Sequence, residues 1–346
     1  MRPGGHLLMA GRPALAIALL VSCGPLSDSR TTDVDLVPPR LQSVQSLGPR
    51  EISVSFDEDA GLRVEKTRIS PTLGVSEVTG PARSVLLRGQ AQEPGVRYLL
   101  ESEAQDAHGN SASFVAEFYG YNGRVPRLLI NELTPRGSGN HPDIVELKAL
   151  GAGNVGGAVL YLGTPGSYDA RLVFPPLEVA AGSFLVVHLR PSGGPGEVDE
   201  TTDMAASTGF DASDTAFDFW MRDGKGLGGN NGVVSLFDCP GGACLDGVLY
   251  SNRTVESDEL YAGFGSAETR ARAEELADCG AWAPAGARIT PEDGINPEGS
   301  TGTRSLCRSA ASDDSNRAQD WHIVPTRRST IGAGNSDEVY VPRSVP

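Results

Sequence analysis

The side chains in this sequence that could do chemistry are few, and their spacing rarely supports it. No two of the histidines His6, His108, His141, His188 and His322 stand at i,i+4 or in a His-x-His pair, so none share a helix face or strand edge as metal ligands do. His188 closes an apolar run, the usual place for a hydrogen-bonded packing residue. HExxH and Gly-x-Ser-x-Gly patterns are absent, and a Ser/His/Asp site assembled only in space leaves no linear trace. Gly224-Lys225-Gly226-Leu227-Gly228-Gly229 spells G-x-G-x-x-G. That motif holds a pyrophosphate only between a strand and a helix. Here Asn230-Asn231-Gly232 and another strand-like run follow, so a mobile glycine loop is expected. The acids Asp211, Asp214, Asp218 and Asp223 form the best metal candidate, since Ca²⁺ takes about six to eight oxygens. Their spacing is not that of an EF-hand, and Phe217, Phe219 and Trp220 interleave with them. The same segment is the candidate binding loop, because such aromatics dominate recognition surfaces. A strand that buries its rings and solvates its carboxylates is the plainer alternative. No catalytic residue, metal or cofactor is assigned.

Composition narrows the class. Of 346 residues, 44 are Asp or Glu and 29 are Lys or Arg, a net charge of −15. Lys66, Lys148 and Lys225 are the only lysines and do not cluster, so the basic stripe that a nucleic-acid binder needs is missing. With 43 Gly and 24 Pro the chain is loop-rich, yet below the level at which composition abolishes a fold. No apolar run reaches the roughly 18 residues of a membrane-spanning helix.

Residues 1–22 combine Arg2 and Arg12, no acids and an apolar run from Ala14 to Val21, the pattern of a secretory signal. The run ends Leu20-Val21-Ser22-Cys23-Gly24, which resembles the lipobox of bacterial lipoproteins. The resemblance implies cleavage before Cys23, acylation of that residue and membrane attachment, since several acyl chains make a stable anchor. Gly24 is not the retention-type aspartate, so the outer membrane is the expected destination in a diderm host. Setting Cys23 aside leaves Cys239, Cys244, Cys279 and Cys307, an even number that suggests two disulfides in an exported protein. Three pairings are possible. Cys239-Pro-Gly-Gly-Ala-Cys244 reads as a tight turn between apolar runs, which favours Cys239–Cys244 and leaves Cys279–Cys307.

A Ser-, Thr-, Asp- and Pro-rich tether reaches residue 40, and period-two alternation begins at 41. Ile52, Val54 and Phe56 point one way; Val96, Tyr98 and Leu100 repeat the pattern, as do Phe114, Ala116 and Phe118. Six or seven short strands over residues 41–120 predict a β-sandwich. "Ile52-Ser-Val-Ser-Phe56" with its acidic turn, and "Tyr98-Leu-Leu" leading to "Asp106-Ala-His-Gly-Asn110-Ser", resemble bacterial Ig-like domains of the Big_5 type, which serve as stalks. Asp106 is read as a turn residue rather than a metal ligand.

Seven apolar runs between residues 127 and 252 predict a second sandwich, with Leu128–Ile130 and Phe184–Val187 buried on both faces. "Ile130-Asn131-Glu132", "Ile144-Val-Glu146-Leu147", "Leu177-Glu-Val-Ala-Ala-Gly182-Ser-Phe-Leu-Val-Val187" and the "Val234-Ser-Leu236…Leu245-Asp-Gly-Val-Leu-Tyr250" hairpin resemble the lamin-tail domain. The resemblance implies structural roles for Asn131, Glu132 and Glu146, pinning neighbouring strands or a loop. Lys148-Ala-Leu-Gly151 in place of the usual Asn-Pro turn, and a Gly- and Asp-rich insertion over 191–232, are departures that put any shared ligand face in doubt. Ser266–Ala277 reads as a capped helix with i,i+4 pairs Glu268–Arg272 and Arg270–Glu274. Arg304–Arg308 and Asp320–Ile323 read as a closing hairpin with Trp321 as its anchor, and 336–346 as a loose tail.

The expected molecule is an all-β protein of two Ig-like sandwiches in tandem, at 41–120 and 127–335. It is exported, lipid-anchored to the envelope and non-catalytic. Its expected work is scaffolding, or recognition of an envelope or extracellular protein or glycan. The alternatives are an accessory subunit that presents a hydrolase or nuclease in trans, or a Ca²⁺-stabilised binding module.

Overall fold

The computed structural model describes residues 35–342. The chain divides into a leading unit, Met1–Val37, and a body, Pro38–Pro346. In the leading unit the Val37 amide donates to Asp35 Oδ1 (3.0 Å). Residues 1–22, read above as a secretory signal, Cys23 and most of the segment read as a tether lie outside the described residues.

The body is all-β and sandwich-like, with two main apolar cores. The first half holds seven strands. Leu41–Gly48, Glu51–Leu62, Ala82–Gly89 and Val75–Val78 pair in that order, and Arg68–Ser70, Arg97–Gln105 and Ser111–Tyr119 pair opposite. The long Glu51–Leu62 strand joins both groups, because Gly61 and Leu62 cross over to Gln105 and Ala104. Ile52, Val54 and Phe56 face the core, as their alternation demands, with Tyr98, Leu100 and Phe118. Asp106 makes its turn: Oδ1 accepts from the His108 amide (2.8 Å) and the Asn110 amide (2.9 Å), and Gly109 supplies the positive φ of 90°.

The second half is a sandwich of a four-stranded and a six-stranded sheet. The smaller runs Ser167–Val173, Val159–Thr164, Asn231–Phe237, Cys244–Ser251. The larger runs Phe217–Trp220, Phe184–His188, Ile144–Ala149, Leu128–Leu133, Leu306–Arg308, Trp321–Ile323. Its Phe217–Trp220 edge pairs parallel with Phe184–His188. Alternate residues such as Leu128, Ile130, Leu147 and Val187 meet the smaller sheet. Leu129 and Val186 are buried on the other face too. Irregular chain covers that face, where Ile331 of the C-terminal segment packs with Ile144, Val186 and Ala216. The helix Ala267–Asp278 packs on the smaller sheet, capped by Ser266 Oγ accepting from the Thr269 amide (3.0 Å). Arg270–Glu274 forms as spaced (2.9 Å). Arg272 leaves Glu268 for a bidentate pair with Asp169 (2.8 and 3.0 Å). Leu306–Arg308 and Trp321–Ile323 form the closing hairpin, with Trp321 in the core. Beyond it the chain is not loose: the Tyr340 amide donates to Ile323 O (2.7 Å), and Tyr340 stacks under Arg304 at 4.3 Å.

A buried ion pair bolts the two sheets together. The Arg308 side chain is 0% exposed, and Nη2 reaches both Asp246 carboxylate oxygens (3.2 and 3.2 Å). Nε donates to Ile130 O (2.8 Å), Nη1 to Asp313 O (3.0 Å) and Asp314 Oδ1 (3.1 Å), and the cation lies 4.8 Å from the Trp321 ring centre. Asp246 also accepts from the Ile130 amide (2.7 Å) and the Gly247 amide (2.7 Å).

The expected disulfides are corrected by the structure, in which Cys239, Cys244, Cys279 and Cys307 are free. Cys307 is buried in the larger sheet, 3.6 Å from His322 Nε2. Cys279 caps the helix on the smaller sheet, so the sandwich separates the two. The Cys244 thiol faces Cys279 rather than Cys239, and their hydrogen bond pulls the Cys279 thiol down to about 7. Burial pushes Cys239 up to about 12.

Two predictions follow from these contacts. Arg308→Met strands the Asp246 carboxylate and should cost about 3–5 kcal/mol in urea unfolding, with Asp246→Asn added to it recovering part of the loss. Exposed Cys279 should be the first thiol alkylated by iodoacetamide at neutral pH, and Cys244→Ala should slow it roughly tenfold, read by peptide mass spectrometry.

Candidate functional site

Glu132 and Glu146 stand opposite each other in register on the two central strands of the larger sheet, on the face away from the main core. Both are fully buried. Burying two carboxylates is costly unless every oxygen is satisfied, and the C-terminal segment satisfies them. Glu132 accepts from Ser305 Oγ, from the Thr330 amide (3.0 Å) and from Thr330 Oγ1 (2.6 Å). Glu146 accepts from Asn131 Nδ2 (2.7 Å) and from the Gly332 amide. Asn335 Nδ2 donates to Asn131 O (3.2 Å) and Arg308 O (3.0 Å). A stretch without regular structure is thereby strapped across the sheet. Burial, reinforced by the facing Glu132 charge, lifts the Glu146 carboxyl from the ordinary 4.5 to about 8, against the opposing pull of the Asn131 and Gly332 hydrogen bonds and of Lys148. Burial raises Glu132 as well.

The strap forms one wall of an open cleft of about 450 Å³. His141 and Asp211 supply another wall: His141 Nδ1 lies 2.9 and 3.2 Å from the two Asp211 oxygens. An ionised carboxylate only accepts, so Nδ1–H donates and Nε2 is left for another partner. Ile144 and Ile331 contribute apolar surface; Ser213, Thr303 and Ser329 contribute hydroxyls. Gly302 admits the close approach here, since a Cβ on it would lie 2.6 Å from His141 Cβ. Asp211 (φ 61°) and Arg327 (φ 64°) both line the cleft. Non-glycine residues at positive φ cost about 1–3 kcal/mol and concentrate at functional sites.

Residues 126–323, more than half of the chain, match a family model named TP_1001_2nd and described as "protein second domain". The chain belongs to that family. An uncharacterized protein of Treponema pallidum (strain Nichols) is 27% identical over 195 residues, which is 56% of this chain and 49% of that protein. The chain thus spans about half the length of that relative.

The TP_1001 second-domain match contains the strands carrying Asn131, Glu132 and Glu146, together with His141 and Asp211, and ends before Arg327 and the strap. Asn131 and the two glutamates take the pinning role expected of them. The aromatic binding loop is a correction. Phe219 (0% exposed) and Trp220 (2%) are interior, and Phe217 is half-buried. Phe219 packs edge-on to Phe174 at 5.1 Å; Trp220 stacks on His188 at 3.9 Å and donates Nε1–H to Ser207 Oγ (3.1 Å). His188 is a satisfied core histidine, with Nε2 2.8 Å from Asp218. The acid run is dispersed: Asp211 holds His141, Asp218 holds His188, and Asp214 and Asp223 are exposed. The glycine run is tied down, with the Gly226 amide on Leu189 O (3.1 Å) and the Leu227 amide on Asp143 Oδ2 (2.8 Å). Sequence reading passed over His141, Arg327 and Ser329, because only the fold brings these distant segments together. The one local hint was the Gly137–Pro142 loop interrupting two buried strands.

The raised Glu146 carboxyl makes the fold proton-dependent. The native state holds a proton that the unfolded chain releases near 4.5, so this stabilisation is full below that pH and is lost as pH rises through about 8. Glu146→Gln, which mimics the protonated group, should melt near the wild-type temperature at about pH 5 and several degrees above it at about pH 8.5, read by differential scanning calorimetry.

Proposed function

We propose that this chain is a non-catalytic recognition module of the cell envelope. It is exported by its leading segment, acylated at Cys23 and held at the outer membrane; the Ig-like half serves as stalk and the lamin-tail-like half as head. The observation that carries the recognition reading is the cleft, where backbone strain, the His141–Asp211 pair and the unpaired Arg327 side chain converge. Preformed concave sites of about 300–1,000 Å³ with a few convergent polar groups are the usual form of a ligand site. The stalk supports this reading by its direct contacts with the head. Arg171 of the head pairs with Glu117 (2.6 Å), and Asn122 Nδ2 donates to Asn154 O (2.8 Å) and Gly156 O (2.7 Å). A Cβ on Gly95 would lie 2.2 Å from Gly156 C.

Mass spectrometry of the membrane fraction should find acyl groups on Cys23, and Cys23→Ser should release the protein from the membrane. A cell-surface pull-down with the full chain should retain an envelope protein or glycan, and Arg327→Asn should weaken that retention. An unmodified Cys23 would overturn the anchoring. Retention indifferent to Arg327, or no retention at all, would overturn recognition at the cleft.

A further inference from the structure

The cleft's own chemistry narrows what it takes. Arg327 offers a guanidinium with no ion pair or hydrogen bond to its side chain among the described residues. Ser329 Oγ is buried and has no hydrogen-bond partner among the described residues. His141 meets Asp211 through Nδ1, which leaves Nε2 without a partner among the described residues, and a hydroxyl can pair with that nitrogen as donor or acceptor. Arg327 and His141 ask for an anion and a hydroxyl group. Ile144 and Ile331 ask for a C–H surface between them. The one carboxylate lining the cleft, Asp211, is engaged by His141, so it does not cancel the charge that Arg327 presents.

We propose that this cleft binds a hydroxylated carboxylate of sugar-acid size, a hexuronate, with its carboxylate on Arg327 and a ring hydroxyl on His141 Nε2. The assignment rests on the recognition reading above and deepens it. Guanidinium–carboxylate contacts are the stronger, geometrically specific class of hydrogen bond. The chain's net charge of −15 does not oppose a short monoanion, because exposed charges beyond about 10 Å are largely screened at physiological salt. The strap supplies Arg327 and Ser329 on the same side of its anchor residue Thr330, which fixes their spacing through Glu132.

The test is isothermal titration of the full chain with galacturonate and glucuronate, their neutral parent hexoses and inorganic phosphate. The uronates should saturate the site, with the hexoses and phosphate at least about tenfold weaker. Arg327→Asn suits the left-handed backbone and should weaken the uronates at least tenfold without moving the melting temperature. Arg124→Ala, which removes an exposed partner of Glu178, should leave them unchanged. Tighter binding of trigalacturonate than of the monomer assigns the ligand to a glycan chain; equal binding assigns it to the free acid. Hexoses or phosphate binding as well as uronates, uronate binding untouched by Arg327→Asn, or no uronate binding would each overturn the ligand class. If uronates fail while the cell-surface retention still depends on Arg327, the class falls and the recognition reading stands. If neither depends on Arg327, both fall.

Discussion

The fold turns on a cation sealed from water. Arg308 sits between two sheets that otherwise meet through apolar side chains, and each of its nitrogens is used. An unpaired buried guanidinium would cost several kcal/mol, and the Asp246 carboxylate alone would cost as much. Neither is tolerable without the other, so the closing hairpin that carries Arg308 can dock only where Asp246 is presented. The Ile130 peptide is caught between them, its carbonyl on Arg308 and its amide on Asp246. Burying such a pair contributes little net stability. Its effect is to set the relative position of a strand added late in sequence against strands formed more than sixty residues earlier.

What lies beyond the hairpin inherits that position. The Arg308 carbonyl accepts from Asn335 Nδ2, and the same side chain reaches Asn131. From there the strap is drawn over Glu146 and Glu132. These carboxylates use a polar solution where an outer sheet face could have been covered with apolar residues, and the choice has a structural consequence. Irregular backbone carries unpaired amides, and buried amides need acceptors. Glu132 and Glu146 provide acceptors for Thr330 and Gly332 that a leucine could not.

Features governed by local rules were legible in the sequence. Alternation placed Ile52, Val54 and Phe56 inward; the Ser266 cap and the Arg270–Glu274 spacing placed the helix within a residue; apolar runs marked Leu128–Ile130 and Phe184–Val187 as buried on both faces, and of these only Phe184 is half-buried. Features set by which layers meet were not. The tight turn between Cys239 and Cys244 is real, yet the turn aims the Cys244 thiol across at the helix end. Phe217, Phe219 and Trp220 lie in an insertion, but that insertion adds a parallel edge strand, so its aromatics fill the interior instead of facing a partner. The cleft was invisible for the same reason. His141, Asp211 and Arg327 come from three irregular segments, and nothing in their local spacing encodes their meeting.

The two polar systems of the second half are one mechanical chain. Arg308 fixes the hairpin, the hairpin carries Ser305 onto Glu132, and Glu132 with Glu146 holds the strap at Thr330 and Gly332. Arg327 and Ser329 lie just ahead of those anchor points and form the cleft wall. A left-handed arginine is not held by local preference, which disfavours it; it is held because Thr330 is fixed behind it and the Arg327 amide is bonded to Thr303 O (2.9 Å) ahead of it. The wall is therefore as firm as the carboxylate contacts behind it. A proton gained or lost at Glu146, buried beneath the strap, bears directly on the segment that shapes the cleft.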